Sequence, residues 1–131
     1  MVLGRPDIEI DVVDPVRQGE GVTAFWVYRV VTRTSLPQFG QPELAVFRRF
    51  RDFKWLHDRL AQRYRGVVLP PLPEKNAVQS KFQSDDRFIE ARRRALMVFL
   101  NRVAAHPLLL QSDELKAFLC QQEVRRRLGR V

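Results

Sequence analysis

The sequence predicts an α+β fold: a three-stranded antiparallel β-meander packed against a helical subdomain of three or four helices, two of them joined by a proline-rich crossing loop. Three observations predict it. Three runs rich in β-branched and aromatic residues come first, an apolar spacing of three and four takes over at Asp52, and LPPLPEK separates the first helical run from the rest. Strands followed by helices, rather than alternating with them, segregate the layers and exclude a doubly wound sheet.

Each element has its own signal. Ile8, Ile10 and Val12 alternate with acidic residues, so Asp7 to Val13 reads as a strand with one buried face, closed by Asp14-Pro15. Gly19 and Gly21 mark a turn before AFWVYRVVTRT, Ala24 to Thr34, and a loop with Pro37, Gly40 and Pro42 precedes ELAVFRRF, Glu43 to Phe50. From Asp52, placed as an N-cap, Phe53, Leu56, Leu60 and Tyr64 share a helical face that Gly66 ends. Prolines keep Leu69 to Lys75 out of a helix. Ser84, with Asp85 and Asp86 in the next turn, starts a long helix ending near His106-Pro107, and Ser112 caps a short one through Leu119.

A chain of 131 residues with 45% hydrophobic content buries a core as one domain. We expect that domain to span 1–120, with 121–131 a basic tail or linker toward a C-terminal region outside this chain. A single cysteine, Cys120, cannot form an internal bridge, which points to a reducing compartment. No apolar segment of a secretory signal follows Met1, and the longest apolar run, Ala95 to Leu100, is too short to cross a bilayer. With 23 basic against 15 acidic residues the charge is +8, which attracts polyanions: nucleic acid, anionic lipid or acidic proteins.

Two places put that charge where a core is expected. On a helical wheel, Phe88, Ala95, Phe99 and Val103 form a stripe and Arg92 falls inside it, while Arg93 and Arg94 point away and read as solvated. Arg92 either snorkels along the core edge or lines a pocket for an anion or hydroxyl groups. At the end of the third strand Arg49 shares the face of Ala45 and Phe47, and Arg48 that of Leu44, Val46 and Phe50, so one of the two approaches the core. A strand end feeding a helix N-terminus also favours phosphate, which a guanidinium grips bidentately.

RRFRDF, PPLPEK and FIEARRRAL resemble, in order, the signatures of PX domains, the phosphoinositide-binding modules of sorting nexins. The resemblance runs from about Ile8 to Leu119, and LPPLPEK and NRVAAHPLLLQSDELKAFL look most like the plant-type, BAR-containing, retromer-associated sorting nexins. It implies a membrane-targeting module for phosphatidylinositol 3-phosphate, with phosphatidylinositol 3,5-bisphosphate left open. In it Arg49 holds the 3-phosphate, Phe50 packs on the inositol ring, Lys75 meets the 1-phosphate, and Arg92 bonds the 4- and 5-hydroxyls. It also implies a peripheral protein on the cytosolic face of endosomal membranes, acting in protein transport with other sorting nexins and retromer. Phe50 stands where tyrosine is commoner, and Arg51 where serine is usual. On this reading Phe47 and Phe53 are structural, and Arg48 and Arg51 are electrostatic background.

The rival classes are weaker. His57 and His106 stand alone, Cys120 has no base beside it in sequence, and no glycine-rich phosphate loop or metal-ligand spacing appears, so we expect no enzyme, no cofactor and no metal. A basic nucleic-acid-binding domain fits the charge and the interleaved aromatics, but such binding tolerates any polyanion, whereas a headgroup pocket discriminates, and we expect no nucleic acid. A protein-interaction role for PPLP fits only a loose ligand pattern. In NAVQSKFQSDD, the apolar Val78 and Phe82 flank Lys81, and the pair either packs on the core or, as we expect, dips into the bilayer beside the headgroup.

Overall fold

Alternation makes the first strand: Ile8, Ile10 and Val12 are buried on one face while Glu9 and Asp11 turn the other way. The computed structural model describes residues 7–73 and 86–122. In it β1 (Ile8–Gln18) pairs antiparallel with β2 (Phe25–Thr34), and β2 pairs antiparallel with β3 (Glu43–Arg49), in the sheet order β1-β2-β3. This is the expected meander. Asp14-Pro15 does not close the first strand, however. The ladder shifts register between Val13 and Val16, and Asp14 takes the left-handed conformation at φ 50°. Proline offers no N–H to a ladder, so the pair bulges out and pairing resumes at Val16.

Among the described residues four α-helices follow: α1 (Phe50–Arg63), α2 (Asp86–Ala105), α3 (Pro107–Leu110) and α4 (Asp113–Cys120). One core joins the sheet to them. Tyr28, Val30 and Val46 meet Phe53, Leu56 and Leu60 of α1, Leu96, Phe99 and Leu100 of α2, and Leu115 and Phe118 of α4. Each such side chain contributes about 1.5–3 kcal/mol by leaving water. Phe53 is fully buried, as expected of a structural residue, but Phe47 is 61% exposed. Strand alternation is the reason: Val46 and Arg48 face the core, so Phe47 between them faces outward.

Helix ends follow local chemistry. α1 begins at Phe50, ahead of the expected start, and Asp52 is not its N-cap. Asp52 stands in the first turn, where its Oδ2 accepts the Arg49 backbone N–H at 2.8 Å. An arginine at the N-cap has no acceptor to offer, so this is the carboxylate half of a capping box. Ser112 does cap α4, accepting from Leu115 N–H at 3.1 Å while its hydroxyl donates to the Leu109 carbonyl at 2.7 Å. Leu69 and Leu72 of the crossing segment lean on the core, and through Pro73 that segment is not helical. Ser84, Asp85 and the tail from Val124 lie outside the described residues.

α2 is tied to the free edge of β1 by side chains that imitate a neighbouring strand. The Asn101 Oδ1 accepts the Ile10 N–H at 3.1 Å, and its Nδ2 donates to the Ile10 carbonyl at 2.7 Å. Arg93, expected on a solvated face, instead donates to the Val12 carbonyl at 2.7 Å and pairs with Glu90 at 2.6 Å. An edge strand left with bare amides and carbonyls would invite other chains; these two residues cover it.

Candidate functional site

The junction of β3 and α1 gathers the candidate residues. Arg49 ends the strand in register with Val27, and Phe50 is the first residue of the helix. The guanidinium of Arg49 lies 3.6 Å from the centroid of the Phe25 ring on β2. Phe50 is partly buried and leans on the core. The aligned peptides of α1 place a positive dipole end here, beside a half-buried cation.

Arg92 reaches this junction from α2. Its guanidinium lies 4.2 Å over the ring of Phe50 and 4.9 Å over that of Phe88, so the structure brings Arg92 and Phe50 together. The buried stripe of α2 runs through Ile89, Leu96, Phe99, Leu100 and Val103, slightly rotated from the expected one. Arg92 therefore sits at the edge of the core with Phe88 and Ala95, half-buried with them. Burial lowers its pKa from the ordinary guanidinium value, opposed by the electrostatic influence of Tyr28. Cation–π contact with two rings offsets part of the cost of holding a guanidinium away from water.

Arg48 is a correction. It is not background but a clamp, 2% exposed on the core face of β3. Nε donates to the Phe118 carbonyl at 3.0 Å, and the two terminal nitrogens donate to the carbonyls of Phe47, Ala117, Gln121 and Gln122. These include the Ala117 and Phe118 carbonyls in the last turn of α4, of which Ala117 also accepts the Gln121 N–H, so Arg48 caps α4 and fastens it to β3 directly beside Arg49. Burial lowers the Arg48 pKa, and Asp52 acts in the opposite direction. Only the strand's alternation hinted at this; nothing in the sequence near Arg48 names a helix C-terminus as its partner. Arg51 is exposed.

Lys75, Val78, Lys81 and Phe82 lie outside the described residues. His57 is engaged with Asp58 at 3.1 Å, and the Cys120 thiol is half-buried with its pKa raised by burial, the opposite of an activated nucleophile.

A meander running through a basic-aromatic turn into a helix, with an arginine from the long helix laid over the aromatic, defines a PX-type module. The family model for the PX domain matches residues 36–122, and the chain belongs to that family. It is similar to "Sorting nexin 1" of Arabidopsis thaliana, 51% identical over 119 residues that make up 91% of this chain and 29% of the plant protein. Among solved structures, the cryo-EM structure of the SNX-BAR Mvp1 tetramer matches with a TM-score of 0.77 and 28% identity, over 92% of this chain and 33% of that one. The crystal structure of the mouse SNX19 PX domain with bound sulphate ion matches with a TM-score of 0.65 and 27% identity, over 86% of this chain and 95% of that one. The chain thus spans about a third or less of the plant sorting nexin and of the Mvp1 chain. PX domains of sorting nexins are in general phosphoinositide-binding, membrane-targeting modules.

Proposed function

We propose that this PX domain binds phosphatidylinositol 3-phosphate and so recruits a sorting nexin to the cytosolic face of endosomal membranes. The observation that carries the reading is the placement of Arg92 over Phe50, the residue that follows Arg49 at the start of α1. In this reading Arg49 grips the 3-phosphate, Phe50 packs against the inositol ring, Arg92 bonds the 4- and 5-hydroxyls, and Lys75 meets the 1-phosphate. A charged fork on phosphate contributes about 1.5–3 kcal/mol, more than a neutral contact to the ring. The sulphate in the mouse relative supports an anion site in this fold.

Val78, Lys81 and Phe82 enter the bilayer surface beside the headgroup, and the net charge of +8 adds attraction to anionic lipid. One shallow anchor is weak and reversible, which suits a module that acts with a second signal, such as assembly with other sorting nexins and retromer through regions beyond this chain. The domain boundary proposed near residue 120 follows the end of α4 at Cys120. The module is not catalytic.

Sedimentation with liposomes that each carry one phosphoinositide, at two salt concentrations, tests the reading. Retention on 3-phosphorylated lipid, persisting at the higher salt, is expected. Equal retention on every anionic lipid, or on nucleic acid, collapsing with salt, would mean a plain polyanion surface instead.

A further inference from the structure

Strand register puts a phenylalanine under Arg49. Arg49 pairs with Val27 across the ladder, and Phe25, two residues away on β2, shares the face of Val27. Phe25 is therefore the diagonal neighbour of Arg49, at a separation that long and aromatic side chains can span. They do span it: the guanidinium carbon lies 3.6 Å from the ring centroid, close enough that it stands over the face of the ring and not beside its edge. β3 ends at Arg49 while β2 extends two residues further, so the ring is a shelf projecting past the strand end at the junction.

Both halves of the contact are held from behind. Phe25 is half-buried and pairs with Gln18 of β1. It follows a tight turn in which the Thr23 hydroxyl donates to the Glu20 carbonyl at 2.7 Å and the Ala24 N–H to that of Gly21 at 3.2 Å. Gly19 enters this turn at φ 81°, where a side chain would be strained and its Cβ would press on the Thr23 carbonyl oxygen at 3.2 Å. The backbone of Arg49 is fixed by the ladder and by its bond to Asp52. What the backbone leaves to be ordered is a long side chain, and ordering it at the moment of binding weakens affinity.

We propose that Phe25 is a positioning residue of the headgroup site: its ring holds the Arg49 guanidinium, by a cation–π contact that persists in the complex, in the place from which it grips the 3-phosphate. This rests on the reading of Arg49 given above. The ring is one support of the guanidinium and need not be the sole one. Stacking uses the face of a guanidinium and phosphate its edge, so the two contacts are compatible. Phe25 acts through Arg49.

The test compares wild type with Phe25→Leu, which keeps apolar bulk without a ring face, and Phe25→Tyr, which keeps the face, in the full 131-residue chain with a thermal melt of each. Calorimetry measures binding of soluble dibutanoyl phosphatidylinositol 3-phosphate and its 4-phosphate isomer. The Nε–H resonance of Arg49, assigned by its absence in Arg49→Lys, reports the ring-current shift from Phe25 with and without ligand. Phe25→Leu is expected to bind the 3-phosphate about two- to tenfold more weakly, the cost of ordering one long side chain, and Phe25→Tyr to bind like wild type. In wild type the Arg49 signal should carry the ring shift and keep it when the headgroup binds. Unchanged or tighter binding by a folded Phe25→Leu, or an equal loss in Phe25→Tyr, overturns the role of Phe25. So does an Arg49 signal that loses its ring shift in the complex, a result that depends on no variant at Phe25. A wild type that does not prefer the 3-phosphate overturns the pocket reading and this proposal with it.

Discussion

Replacing Arg48 by methionine keeps the apolar stem of the side chain and removes every donor. The carbonyls of Phe47, Ala117, Phe118, Gln121 and Gln122 then lose their shared partner. They do not suffer equally. The Ala117 carbonyl keeps the Gln121 N–H at 2.9 Å, and the contacts to Phe47, Gln121 and Gln122 are only part-buried, where water can replace the arginine. The bond to Phe118 is buried and has no such substitute. Bonds from a charged donor contribute about 1.5–3 kcal/mol each, and removing a buried cation returns part of that through relieved desolvation. A net loss of about 2–4 kcal/mol is expected, or roughly 10 °C in melting temperature for a domain of this size. Thermal and urea unfolding of the two proteins, followed by circular dichroism, measures it. A variant within about 2 °C of wild type would show that α4 does not depend on Arg48.

The two phenylalanines flanking the junction should part company. Phe47→Ser is expected to change stability by less than about 0.5 kcal/mol, because Phe47 is 61% exposed, while Phe53→Ala should cost about 3–5 kcal/mol by opening a cavity in the core; urea midpoints compare them. Hydrogen bonding from Arg93, the larger effect, and then from Arg94 lowers the Glu90 pKa from 4.5 to about 2. A carboxyl depressed on folding stabilises above its unfolded pKa and loses that contribution as pH falls toward its folded one, so Glu90→Gln should flatten the fall in stability between about pH 4.5 and 2. An unchanged slope there would mean the Arg93 pair is not held in solution. For the proposed membrane contact of Phe82, Phe82→Ser should lower retention on liposomes while leaving affinity for soluble headgroup in place, and a parallel fall in both would rule out insertion.

Where the sequence spoke through a single periodicity, it spoke clearly. Alternation at Ile8, Ile10 and Val12 gives β1, and the spacing of Phe53, Leu56 and Leu60 gives the buried face of α1. Arg92 stood out because one cation interrupted an apolar stripe. Long-range partners were not legible. The wheel that sent Arg93 to solvent describes one helix alone and contains no β1 edge, whose Val12 carbonyl holds that side chain. The strand pattern left Arg48 and Arg49 as alternatives, and the choice was made by the C-terminus of α4, which arrives in space beside a residue far from it in sequence. Asp52 shows a different limit: an aspartate suits both the N-cap and the first turn, and it is the backbone of Arg49 that decides.

The claim at the centre is that Arg49 makes this surface a reader of phosphate position and not merely a basic face. The most direct measurement is the ratio of binding to liposomes carrying the 3-phosphorylated and the 4-phosphorylated lipid, compared between wild type and Arg49→Ala, with a melt to confirm folding. The Arg49 guanidinium rests on the Phe25 ring and its backbone N–H remains bonded to Asp52 after substitution, so the fold should survive. The account predicts a wild type that strongly prefers the 3-phosphate and a folded Arg49→Ala with no preference, retaining only weak, salt-sensitive attachment to both. A folded Arg49→Ala that still separates the two isomers would contradict it.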